Sequence, residues 1–156
     1  MPRFESSVVV DVPVRVAYDQ WTQFEEFPRF MEGVEQVVQR DEKTLHWTAE
    51  IAGQRKEWTA EITDQTPDTR VAWKSVSGDE NAGAVLFESL DGGRTRITLK
   101  LDADPQGVIE TIGANAGFLE GRVNGDLQRF KEFVESRGVP TGAWRGEIHG
   151  DEVIEG

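Results

Sequence analysis

The sequence predicts an α+β domain: an antiparallel sheet packed against one long C-terminal helix. Three observations lead there. From Val34 to about residue 103 the apolar period is two, and turn signals interrupt it at short intervals, as in a meander of strands. From Pro105 to Gly138 the period changes. Ile109, Ile112, Ala116, Leu119, Val123, Leu127, Phe130 and Val134 step by three or four, which places them on one narrow helical stripe. No other segment reads as a helix of comparable length, so this stripe must be buried against the sheet.

The elements follow in order. Phe4, Ser6, Val8, Val10 and Val12 alternate with Glu5, Ser7, Val9 and Asp11, which predicts a first strand. Pro13 then opens a short helix to about Thr22, with Val14, Ala17, Tyr18 and Trp21 spaced to face inward. Phe24 to Met31 forms a second helical turn or two, interrupted by Pro28, and Gly33 closes it. A second strand begins at Val34. Turns at Ala52-Gly53, Gln65 to Asp68, Ser77 to Gly83 and Asp91-Gly92-Gly93 then divide the meander, the last being a strong hairpin signal.

Those turns propose a register. Closing a hairpin on Ala52-Gly53 sets Trp47 opposite Trp58 and Leu45 opposite Ala60. Carried onward, it sets Trp73 beside Ala60, Phe87 beside Trp73 and Ile97 beside Phe87, with Trp47, Trp58, Ser75, Val85 and Leu99 forming the next row. The opposite face then holds Thr48, Glu50, Arg55, Glu57, Thr59, Glu61, Arg70, Lys74, Glu88, Arg94, Arg96, Thr98 and Lys100, a solvated face of mixed charge.

The long helix carries Gly113, Gly117, Gly121 and Gly125 at every fourth position. Each costs roughly 0.5–1 kcal/mol relative to alanine. One reason is length: a straight helix over this segment would run about 50 Å, more than the roughly 40 Å width of a compact chain of this size, so a break near Gly113–Gly117 is expected. The other is space, since a helix flank without side chains leaves room for a ligand or another backbone. A thin helix facing Trp47, Trp58, Trp73 and Phe87 can enclose a space lined by aromatic rings. The alternative is that the tryptophans only fill the core.

Two stretches carry a family resemblance. Val8-Val9-Val10-Asp11-Val12-Pro13, Tyr18-Asp19-Gln20-Trp21 and Phe24-Glu25-Glu26-Phe27-Pro28-Arg29-Phe30-Met31 resemble the opening of the polyketide cyclase/dehydrase group of the START/Bet v1-like (SRPBCC) superfamily. Arg122 to Lys131 resembles its closing helix. The resemblance spans residues 3 to 137 and implies the helix-grip fold: a curved antiparallel sheet wrapped around a long C-terminal helix, with two short helices after the first strand. It also implies a deep cavity between sheet and helix. The candidate lining residues are Trp47, Trp58, Trp73, Ser75, Val85, Phe87 and Leu99, with Phe27, Phe30 and Met31 near the mouth. Members of the group include lipid carriers, quinone-binding proteins and aromatase/cyclases, and fold does not fix function.

A cyclase or dehydratase needs polar groups inside such a cavity. Glu120, at the margin of the helix stripe, is the best acid/base candidate, with Asn124 and Ser75 beside it. Arg122 and Asp126 are spaced as an ordinary surface pair. No cofactor and no metal are expected: there are no cysteines, and His46 and His149 have no ligand spacing. Neither a nucleophile elbow nor a phosphate loop is present.

Net charge of −12 argues against nucleic acid and anionic membrane as partners. No apolar run approaches the ~18 residues of a membrane span, and no secretory pattern opens the chain, so a cytoplasmic protein is expected. The domain is placed at residues 1–137, and residues 138–156 read as a flexible acidic tail in which Trp144 is the candidate to dock somewhere. The functional expectation is a carrier or sensor of a hydrophobic or aromatic small molecule (lipid, isoprenoid or polyketide-like). A cyclase/dehydratase-type enzyme using the same cavity and a protein-interaction module without ligand stand as alternatives. Oligomeric state is left open.

Overall fold

The computed structural model describes residues 3–31, 33–51, 53–78, 81–103, 116–142, 146–149 and 152–154. The apolar alternation of the first segment forms strand β1 (Arg3–Val10). Pro13, in extended conformation, caps helix α1 (Val14–Trp21), and a 3-10 helix (Phe24–Arg29) follows, with Pro28 inside it. Gly33 at φ 86° turns the chain into the meander. Its strands are β2 (Val34–Gln39), β3 (Thr44–Ile51), β4 (Gln54–Thr66), β5 (Arg70–Gly78), β6 (Asn81–Leu90) and β7 (Arg94–Ala103). Helix α2 (Ala116–Arg137) follows, then two three-residue strands, β8 (Glu147–His149) and β9 (Glu152–Ile154).

The sheet is antiparallel in the order β1-β7-β6-β5-β4-β3-β2. Val8, Val10, Leu45, Ala60, Ile62, Val71, Val85, Phe87 and Ile97 share its inward face and are buried. Against them lies α2, packed along β1 and touching α1. Val123, Leu127, Phe130 and Val134 of its predicted stripe are buried. The expected start at Pro105, the apolar residues Ile109 and Ile112, and most of the expected break lie outside the described residues; the helix runs from Ala116. Among the described residues no helix is long and apolar enough to cross a membrane.

The register holds at the tight turns and shifts elsewhere. Trp47 faces Trp58, Leu45 faces Ala60, and Phe87 faces Ile97, as expected. Trp73, however, lies beside Ile62 and Gly83 rather than beside Ala60 and Phe87. Ser75 takes the place beside Ala60, and Val85 lies between Val71 and Leu99. Two irregularities in the β4–β5 ladder, at Thr59/Ala60 and Ile62/Asp64, accompany the change. The displacements are of even length, so the faces are preserved. The charged face is solvated, with Arg96 pairing Glu88 at 3.1 Å across strands. Thr48 is its exception, 5% exposed.

The segment after Gly138, expected as a flexible tail, is partly built into the sheet. β4 is longer than β3, whose pairing stops at Thr44–Glu61. β8 takes over that edge further along, pairing Ile148 with Gln65 and His149 with Asp64, and β9 closes a hairpin on it. Ile148 is fully buried in the core. Upstream, the buried Gln20 side chain of α1 grips the strap twice: its Nε2 donates to Thr141 Oγ1 (3.1 Å) and its Oε1 accepts from Thr141 N (2.8 Å). Trp144 lies outside the described residues.

Candidate ligand-binding face

The residues expected to line a cavity divide into two groups. Phe27 and Phe30, placed at a mouth by the sequence reading, are core residues, 3% and 2% exposed. Phe27 packs on Trp21, Phe24, Phe30 and Trp47 with ring centroids 5.4–5.6 Å apart, and Phe30 meets Phe130 at 5.1 Å. Phe87 is likewise covered, with Tyr18 edge-on at 5.4 Å, and Val85 has no exposed surface. These four side chains are packed rather than open. The cause lies in the chain order: α1 and the 3-10 helix are tied by short connections to β1 and β2 and sit over this end of the sheet.

The second group faces the same way but keeps part of its surface open. Trp47, Trp58, Trp73, Ser75, Leu99 and Met31 are all half-buried. Trp47 and Trp58 stack face to face across the β3–β4 ladder, 5.6 Å between centroids and 11° between planes. The indole N–H of Trp47 is buried and, among the described residues, donates no hydrogen bond. Buried donors rarely go unpaired. Trp73 lies across the bare backbone of Gly83: a Cβ there would sit 2.7 Å from the indole Cζ2 and 2.6 Å from Lys100 O. Glycine therefore lets this indole lie down along the sheet.

The polar candidates are described in part. Asn124 is exposed and accepts a hydrogen bond from Ser6 Oγ of β1, which ties α2 to the sheet edge. Ser75 is half-buried on the inward face, and the Glu120 side chain lies outside the described residues. Asp126 pairs with Arg129, whose Nε also donates to Phe30 O at 2.8 Å. His46 stays on the outer face against Thr59 and Glu57. Among the described residues no group of three His, Cys, Asp or Glu side chains could hold a metal.

The sequence reading missed three buried polar or tail residues that shape the domain: Gln20, Gln65 and Ile148. For Ile148 a signal existed, since Glu147-Ile148-His149 and Glu152-Val153-Ile154 flank Gly150-Asp151, a two-residue hairpin signature. Gln20 and Gln65 carry no comparable local mark.

This architecture, a curved antiparallel sheet against a long C-terminal helix, is the helix-grip fold. The chain belongs to the family described as polyketide cyclase/dehydrase and lipid transport, which matches residues 10–132. It is 49% identical over 149 residues to an uncharacterised 17.2 kDa protein of Streptomyces lincolnensis, covering 95% of this chain and 99% of that one. A crystal structure of a Deinococcus radiodurans protein superposes with TM-score 0.68 at 27% identity, covering 87% of this chain and 99% of that one. The Zhui aromatase/cyclase of Streptomyces sp. R1128 superposes with TM-score 0.70 at 15% identity, covering 87% and 94%, a likeness of fold alone.

Proposed function

We propose that the protein binds a hydrophobic or aromatic small molecule, of lipid, isoprenoid or polyketide-like character, between the inward face of the sheet and α2, and acts as a cytoplasmic carrier or sensor. The observation that carries this reading is the half-open indole pair Trp47–Trp58, stacked at 5.6 Å on a face whose other end is closed. Flat, polarizable rings left partly exposed cost solvation unless something covers them, and a planar apolar guest would do so. Trp73, Ser75, Leu99 and Met31 would line the same space, and the unpartnered Trp47 N–H would meet an oxygen of the guest. The family description, which joins cyclases with lipid transport, supports the ligand class. Net charge of −12 supports a small apolar partner over nucleic acid.

The test is native mass spectrometry of the purified chain before and after denaturing extraction, with a hydrophobic dye and quinones as added probes. A retained apolar molecule, lost on extraction and bound about tenfold more weakly by Trp58→Ala or Trp73→Ala, is the expected result. A chain that carries nothing and ignores both probes would overturn the carrier reading. Turnover of a polyketide-like substrate, lost in Glu120→Gln with binding intact, would replace it with the enzyme reading.

A further inference from the structure

Away from the indole face, a cleft of about 530 Å³ opens where three segments meet. Gln23 and Glu25 come from the junction of α1 with the 3-10 helix, Gln39, Asp41 and Glu42 from the end of β2 and the turn to β3, and Gln65 from β4. Its chemistry is one-sided. Among the described residues three carboxylates line it and no lysine or arginine does. The nearby Lys43 ammonium is held by Glu61, at 3.3 Å.

Two of the carboxylates are held by backbone hydrogen bonds. Glu25 Oε2 accepts from Gln39 N at 3.0 Å, and Asp41 Oδ1 from Lys43 N at 2.9 Å. The Lys43 backbone N–H, helped by Thr44, holds the Asp41 carboxyl below its usual range, so it stays charged at neutral pH.

A second, independent observation points to a ligand. Gln65 contributes to the wall of the cleft, is 1% exposed, and among the described residues its Oε1 accepts no hydrogen bond. Its backbone is fixed on both edges, opposite Val71 of β5 and Ile148 of β8. A buried acceptor without a donor is uncommon in native proteins, and here its residue lines the same cleft as three anionic groups. Both features call for the same partner: positive charge that carries N–H donors. A metal ion fits less well, since no group of three ligating side chains converges among the described residues.

We propose that this cleft binds the guanidinium or ammonium end of a small organic cation, with Asp41, Glu42 and Glu25 supplying charge and Gln65 Oε1 accepting a hydrogen bond. The site is separate from the indole face and stands or falls independently of the ligand proposed there.

The experiment is an NMR titration of the full chain with agmatine, using N-butylurea as a neutral control of similar shape. The expected result is saturable shifts confined to the side-chain amides of Gln23, Gln39 and Gln65 and to the backbone of residues 39–43, with no response to N-butylurea. Gln65→Leu should weaken agmatine binding roughly tenfold. Because that variant alters a buried position, Asp41→Asn/Glu42→Gln, on the exposed turn, provides the second arm and should weaken it roughly three- to tenfold. Non-saturating shifts spread over the acidic surface, an equal response to N-butylurea, or unchanged binding in the double variant would overturn the proposal. So would far tighter binding of an arginine-containing tripeptide amide than of agmatine, which would assign the cleft to a protein partner.

Discussion

The two ends of the inward sheet face use the same kinds of side chain and do different things with them. At one end Tyr18, Trp21, Phe24, Phe27, Phe30 and Phe130 interlock with Phe87 and Ile97, and none is more than 7% exposed. At the other Trp47, Trp58 and Trp73 lie on the sheet and remain half-buried. Composition does not separate them; coverage does. α1, the 3-10 helix and the C-terminal turns of α2 close the first end, whereas at the second Trp47 meets Phe27 on one side and Trp58 on the other, and Trp73 lies along the backbone of Gly83. An aromatic-rich face is therefore a core where helices cover it and a candidate binding surface where they do not.

The sharpest way to break this comparison is to truncate one ring at each end. Phe130→Ala removes a fully buried ring that meets Trp21 at 5.0 Å and Phe30 at 5.1 Å, and should cost about 3–5 kcal/mol in urea unfolding. Trp58→Ala should cost less than half as much, because part of that indole is already open, yet it should abolish most binding of an apolar probe. Equal stability losses would show that the indole end is ordinary core.

Ile148→Ala extends the comparison to the C-terminal hairpin. A fully buried side chain in the main core predicts a loss of about 2–4 kcal/mol with one cooperative transition. A change below about 0.5 kcal/mol would mean that the hairpin is the loose appendage its composition suggests.

What the sequence disclosed follows the same physical lines. The Ala52-Gly53 and Asp91-Gly92-Gly93 turns set their ladders correctly, with Gly53, Gly92 and Gly93 all at positive φ, because a short loop with glycine leaves little choice of register. Between β4 and β5 the irregularities at Thr59/Ala60 and Ile62/Asp64 carry no turn signal in the sequence, so Trp73 lies two residues from its expected partner on β4. The period-two pattern survived this, since an even displacement keeps every side chain on its face. The candidate lining residues divide into buried and half-buried groups for a related reason. Alternation says which residues point inward, but not which of them a helix tied elsewhere in the chain will cover. The acidic, glycine-rich tail hid its hairpin because only Ile148 is buried deeply.

Gly83→Ala is the next, smaller perturbation. Its Cβ would fall 2.6 Å from Lys100 O and 2.7 Å from the Trp73 ring, so either the strand or the indole must give way. The expected cost is about 1–3 kcal/mol, with a shift in tryptophan emission as Trp73 is lifted from the sheet. Ser75→Ala, one turn of the pleat away, should leave emission unchanged. If Gly83→Ala leaves both stability and emission alone, the close packing of Trp73 on the backbone is not a constraint.

The smallest effect concerns the grip of the hairpin. His149 lies 3.4 Å from Asp64 of β4 and 3.0 Å from Glu147, with Glu152 of β9 also near and Arg70 sharing Asp64 at 3.5 Å. The hydrogen bond to Glu147, followed by the carboxylate charges, raises the imidazole above its ordinary value of 6.5. The sign follows: with the folded group raised, the interaction is fully present below the ordinary value and is lost as pH climbs through the raised one. Hydrogen-exchange protection of residues 147–149, corrected for intrinsic rates, should therefore fall modestly between about pH 6 and about pH 8, while that of β6 and β7 holds. His149→Gln should flatten the profile. A pH dependence that survives this substitution would move the cause to another group, and equal changes in β6 and β7 would show that the whole domain, not the hairpin, responds.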